Sequence, residues 1–338
     1  MKQKQKKAVS TAASSKAVMT RGKLLVVQFP HPGVEAVPTM AAQKSNPSVM
    51  AWNNSAQHKR KFMKATGQIV NINGTLSPKQ DLLFWGEWEP TSMVYPITQW
   101  QGNGVQPQWL HIPFLNANAA PAAGGTANTA GCGGCVPTPY GGINTDPLVF
   151  GDYFIYSNCK QTRKNKGIPE PTQMQYLLPG SIILFGSKLL DSTGTPYFGL
   201  DTVFVVGDSR PYQPCNYKTD LKGFVPPDFA RIMGPSFMKI KTQFTCYHGA
   251  TVNNPIEGMF SFVPCKPYPN ANIGFPRVKL TDKDFAQFAQ YGNIIINGLS
   301  RIYHYTVIPN LQTSRSIWGK VCNIIQQQGY ERGVNLRY

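Results

Sequence analysis

The sequence predicts a β-rich α+β protein, and three observations predict it. Aromatic residues make up 12% of the chain and are accompanied by 31 Gly and 28 Pro, a composition that favours short strands and turns over long helices. Apolar runs such as Leu24 to Phe29 and Ser181 to Leu184 are strand-sized, and none approaches the roughly 20 residues that span a bilayer. Only two segments carry a clear helical signature. At 338 residues and 41% hydrophobic content the chain is long enough to bury one or two cores.

Residues 1–22 hold Lys2, Lys4, Lys6, Lys7, Lys16 and Arg21 and no acid, with Ser, Ala, Thr and Gln between them, and read as a disordered basic arm. The N-terminal part of the core follows over residues 23–115. Lys23 to Phe29 reads as a buried strand, stopped by the Pro30-His31-Pro32-Gly33 turn. Residues 55–66 read as a short helix, with Ser55 as N-cap and Gly67 as its stop, and 68–72 and 81–88 as strands. Residues 116–142 collapse to Ala, Gly, Asn, Thr and Pro, the composition of a flexible insertion. The C-terminal part, 143–338, offers strands at 147–156, 181–186, 201–207, 237–246, 259–263, 293–297 and 303–308. One helix begins after Thr281 and ends at Gly292. A terminal amphipathic helix carries Ile317, Trp318, Val321, Cys322, Ile324 and Ile325 on one stripe before Gly329.

Charge points to a partner. The 33 Lys and Arg against 16 Asp and Glu leave a formal net charge of +17, although only 14% of residues are charged. Such a field attracts polyanions, nucleic acid first among them. Seven scattered cysteines and the lack of a signal-peptide core suit reduced thiols in an intracellular setting, cellular or that of a virus or phage. No membrane partner is expected. Cys132 and Cys135 have knuckle spacing but no second pair, so neither a metal nor a cofactor is expected.

Two basic loci stand out as phosphate contacts. His58, Lys59, Arg60, Lys61 and Lys64, placed on a helix, concentrate charge on one surface while Phe62 and Met63 turn inward. Lys160, Arg163, Lys164 and Lys166 follow a strand end and surround Cys159, where cations favour the thiolate of a nucleophile. The segment Phe84-Trp-Gly-Glu-Trp-Glu-Pro90 sets Trp85, Glu87 and Glu89 on one face of a strand and Phe84, Gly86 and Trp88 on the other. Trp85 and Trp88 offer surfaces for stacking a base. Glu87 and Glu89 offer hydrogen bonds to it, or an acid–base pair, and His31 on its turn is a further catalytic candidate.

The stretch from Leu178-Pro-Gly-Ser to Gly186, followed by Asp201 to Gly207, resembles the turn and central strands of PUA, ASCH and EVE-like β-barrels over about residues 147–207. Ser181 stands where those domains carry an acid. The resemblance implies recognition of RNA or of DNA, including modified or flipped bases. Three functions are therefore expected in order. The first is a nucleic-acid-binding protein. The second is a nucleotide- or nucleic-acid-processing enzyme using Cys159 or the Glu87/Glu89 pair. The third is a viral coat-like packaging protein.

Overall fold

The structure is a computed structural model, and it describes residues 22–37, 49–50, 59–89, 92–113, 145–237, 242–269, 273–286 and 303–338. The basic arm up to Arg21, the insertion at 116–142 with Cys132 and Cys135, the strand at 293–297 and His58 lie outside the described residues. Nineteen strands and four α-helices are found among the described residues, so these residues are β-rich with few helices.

In chain order the strands are β1 (Leu25–His31), β2 (Val49–Met50), β3 (Arg60–Ile69), β4 (Gln80–Glu87), β5 (Ser92–Pro96), β6 (Gln99–Trp100) and β7 (Trp109–Pro113). They continue as β8 (Leu148–Phe150), β9 (Tyr153–Tyr156), β10 (Thr162–Asn165), β11 (Ile168–Pro171), β12 (Ile182–Leu190) and β13 (Pro196–Tyr212). The last are β14 (Phe244–Gly249), β15 (Val263–Pro267), β16 (Ile273–Gly274), β17 (Val278–Leu280), β18 (His304–Val307) and β19 (Glu331–Arg337). The helices are α1 (Tyr217–Asp220), α2 (Pro227–Phe237), α3 (Asp282–Ala286) and α4 (Leu311–Gln327).

Two sheets form the body. The first runs β18-β1-β12-β13-β14-β9-β8, with β17 also on β13. The second runs β19-β15-β4-β3-β7-β5-β2. An additional β19–β3 pairing closes β3, β4, β15 and β19 into a four-stranded ring. These ring strands lie outside residues 147–207; within that span β12 and β13 pair antiparallel, from Ile182 against Val205 to Leu190 against Pro196.

The central strands are apolar on both faces, which explains their unbroken Val/Ile/Leu/Phe runs. Leu25, Val27 and Phe29 of β1 join one hydrophobic cluster while Val26 joins the other. Ile183 and Phe185 against Ile182 and Leu184 divide in the same way on β12. Both clusters draw on both sheets, so each sheet packs its two faces.

The expected helix at 55–66 is instead β3 from Arg60 onward. Phe62 and Met63 both turn inward, but to opposite clusters, as neighbours on a strand must. The strand expected at 237–246 begins only at Phe244, because Phe237 ends α2. Helix α3 starts as expected: the Asp284 carboxylate accepts both the backbone N–H and the hydroxyl of Thr281, each at 2.7 Å. Helix α4 buries Ile317, Val321, Cys322, Ile324 and Ile325, and Gly329 beyond it takes φ +75°. Asn310 caps its start, accepting the Thr313 N–H at 2.9 Å. No described helix is long and apolar enough to cross a membrane.

Candidate functional site

Strands β1, β3, β4 and β13, with the segment leading into β17, bring together a chain of alternating charges between the sheets. Glu87 at the end of β4 accepts a hydrogen bond from Arg60 Nη2 at 2.5 Å and lies 3.1 Å from His31 Nδ1. Arg60 Nη1 approaches Asp201 at 3.7 Å, and Asp201 is 3.1 Å from Arg277 Nε. Arg277 lies over the Trp85 ring at 4.4 Å, a cation–π contact that ends the chain. His31, Asp201 and Arg277 belong to the first sheet's side and Arg60 and Glu87 to the second. The series His31–Glu87–Arg60–Asp201–Arg277 therefore bridges the two.

Every member is buried. The side chains of Glu87, Arg60 and Asp201 are at most 1% exposed. Burial alone would make such ions costly, and alternation of sign with short contacts is what offsets that cost. Burial pushes the Asp201 carboxyl up, and Arg277 and then Arg60 pull it back. Lys61, fully buried beside the chain, is driven well below the usual lysine range by desolvation, with Glu89 and Glu87 opposing. His111 is pushed down to about 3 by burial and by Lys61, and is neutral.

A second cluster adjoins the first. Asp146 accepts the backbone N–H groups of Ser157, Asn158 and Cys159 at 2.8, 3.0 and 2.6 Å. Complete burial raises it to about 7 in spite of those bonds. Lys160 donates to the Pro30 carbonyl at 2.6 Å and sits 4.4 Å over the Phe29 ring. Its pKa falls to about 8 through desolvation, with Cys159 and Glu87 opposing and Arg60 assisting. Cys159, Lys160, Glu87 and His31 thus share one neighbourhood, while Glu87 and His31 have side chains 0% and 4% exposed.

The expected surfaces must be corrected accordingly. Arg60 and Lys61 do not lie on a solvated helix face; strand geometry puts them in the core at 1% and 0% exposure. Of that locus Lys59 is half-buried, and Lys64 pairs with Asp81 at 2.8 Å over the Tyr268 ring. Trp85 and Trp88 are core residues rather than open stacking surfaces. Trp85 donates to the Phe275 carbonyl at 2.8 Å, and Trp88 meets the Tyr338 ring at 4.7 Å. Glu89 is buried beside Lys61, and its backbone N–H donates to Thr145 Oγ1 at 3.1 Å. The second basic locus divides. Lys160 turns in, whereas Arg163, Lys164 and Lys166 stand exposed on the β10–β11 hairpin.

Sequence reading missed Asp146, Asp201, Arg277 and His111. Asp201 carried a usable signal, a single acid heading an otherwise apolar strand, since an acid there must find a buried cation. Among the described residues no group of three or more His, Cys, Asp or Glu is arranged to hold a metal ion. Comparison of the chain with protein-family models, with curated proteins and with solved structures found no match.

Proposed function

We propose that the protein binds nucleic acid through phosphate contacts spread over its surface and its basic N-terminal segment, as a coating or packaging protein more than as a reader of single bases. The observation that carries this reading is where the charges go. The buried set is balanced, with Arg60, Lys61, Arg277 and Arg332 against Glu87, Glu89, Asp146 and Asp201. The formal +17 therefore resides in residues other than this described buried set. Distributed positive charge of this kind supplies sequence-independent affinity.

Closure of the Trp85–Glu89 segment favours packaging over base recognition, since both rings and both carboxylates already have partners within the protein. A catalytic role for Glu87 or His31 requires a substrate path to side chains that are buried, whereas Cys159 is half-buried. The PUA-like reading of residues 147–207 is compatible with nucleic-acid binding and adds no contact residue to it.

Purification without nuclease, followed by sequencing of whatever nucleic acid accompanies the protein, tests the partner. Affinity for a random duplex should fall by about 10³–10⁵ between 50 and 200 mM salt if six to ten phosphates are neutralised. Light scattering on the nucleic-acid complex tests packaging and should show large assemblies. Affinity independent of salt overturns the proposal, and a one-to-one monomeric complex overturns its packaging part.

A further inference from the structure

Among the described residues strand β18 is the outermost of the first sheet, paired to β1 from Leu25 against Val307 to Gln28 against His304. Tyr303, Tyr305 and Val307 project to one side of it, because alternate residues of a strand share a face. Tyr305 is 42% and Val307 50% exposed. The rings of Tyr303 and Tyr305 stack on each other, centroids 5.9 Å apart and planes 25° from parallel. Tyr303 is the fixed half of the pair. It packs partly buried against the hydrophobic core.

Thr172 directly follows β11 and is tied to the foot of the basic hairpin, donating its hydroxyl to the Lys160 carbonyl at 2.7 Å. Lys160 in turn lies over the ring of Phe29, the residue after Gln28, which pairs with His304, so the foot of the hairpin stands beside the tyrosine end of β18. Arg163 has a side chain 71% exposed and shares Glu170 with Asn165 across the hairpin. Lys164 and Lys166 are exposed beside it. Rigid aromatic faces next to flexible cations are what sequence-tolerant binding of unpaired bases requires, since every base has a π-face and every nucleotide a phosphate.

We propose that Tyr303 and Tyr305, with Arg163, Lys164 and Lys166 of the adjoining hairpin, form a binding surface for single-stranded nucleic acid, bases stacking on Tyr305 and phosphates resting on the hairpin. The inference rests on the nucleic-acid reading above and specifies the strandedness it selects. A second copy of the chain paired edge to edge along β18 is disfavoured, because it brings a second set of the same cations towards the first.

The test uses the full chain, an unstructured 20-nucleotide oligothymidine and a 20-base-pair duplex, both fluorescently labelled, read by anisotropy. Tyr305→Ala should weaken single-strand binding about 5- to 20-fold, the lower part of the range for one lost base stack, and leave duplex binding within about twofold. Tyr305→Phe keeps the ring and should restore single-strand affinity. Arg163→Ala combined with Lys164→Ala should weaken both substrates and flatten the salt dependence. Because Tyr305 is exposed, the thermal midpoint of the Ala variant should match the parent, which separates loss of binding from loss of fold. Equal single-strand binding by parent and Tyr305→Ala overturns the inference while the nucleic-acid reading stands. A change in self-association without a change in single-strand binding also overturns it, in favour of a protein partner. Should the parent bind neither oligonucleotide, both readings fall together.

Discussion

Replacing Glu87 by Ala probes whether the buried charge chain holds the two sheets together. Arg60 loses its 2.5 Å partner and keeps Asp201 at 3.7 Å, which Arg277 already engages at 3.1 Å. At an effective dielectric near 20, the 2.5 Å contact is worth roughly 6–7 kcal/mol of attraction. Part of that returns because Glu87 no longer has to be stripped of water, which leaves a net loss of about 3–5 kcal/mol. His31 loses the same carboxylate. Urea unfolding at pH 7, with midpoint and slope both fitted, reads the change directly. The double variant Arg60→Met with Glu87→Leu supplies the contrast, since replacing a whole buried pair by apolar side chains is often close to neutral. A single-variant loss below about 1 kcal/mol, or a double variant as damaged as the single, refutes the reasoning that the pair is a mutually dependent unit.

Other outcomes follow from individual groups. Glu35 and Asp146 are both raised to about 7 by burial, so the folded protein binds protons there that the unfolded chain releases near pH 4. Their contribution makes stability fall as pH rises from about 4 to 7, whereas Lys160, lowered to about 8, makes it rise from about 8 to 10.5; unfolding midpoints across pH 4–10 should trace both limbs. Gly186→Ala would put a Cβ 2.3 Å from the Gly199 carbonyl oxygen and 2.7 Å from the Phe198 ring, where backbone cannot yield, and should cost about 2–4 kcal/mol in thermal unfolding. Glu35→Ala strips an acceptor from the N–H groups of Gln108 and Trp109, at 3.0 and 2.9 Å, and should cost about 1–3 kcal/mol by the same assay. Cys159→Ala should leave oligonucleotide affinity within twofold, which a thiol-dependent activity would contradict.

The elements most legible in the sequence were those with one unambiguous period. The α4 stripe from Ile317 to Ile325 has the period of a helix face, and the Leu25–Phe29 run, broken only by Gln28, has the length of a strand buried on both sides. The segment at 55–66 misled because His58, Lys59, Arg60 and Lys61 look solvent-bound when charge is read as exposure. What puts Arg60 and Lys61 inside is the position of Glu87 and Asp201 on other strands and of Glu89 just beyond β4, and tertiary pairing leaves no local trace. The candidate site shows the same division. Glu87, His31 and Trp85 stood out by their rarity in an acid-poor chain, but Arg277, more than 180 residues from Trp85, could be joined to it only in space. Tyr303 and Tyr305 passed as part of an ordinary strand, because a stacked exposed pair and a packed one are spelled alike.

The closed ring imposes an order on synthesis. Strand β3 leaves the ribosome around residue 60, yet its ring neighbour β19 begins only at Glu331. At 5–20 residues per second the wait is roughly 14–54 s, far longer than a hairpin needs to form. For that interval the Thr66–Ile69 end of β3 lacks its β19 partner, while the Phe62–Met63 end can already pair with β7. A polyribosome making this protein therefore displays nascent chains whose four-stranded ring stays open at one end of β3 until β19 is made.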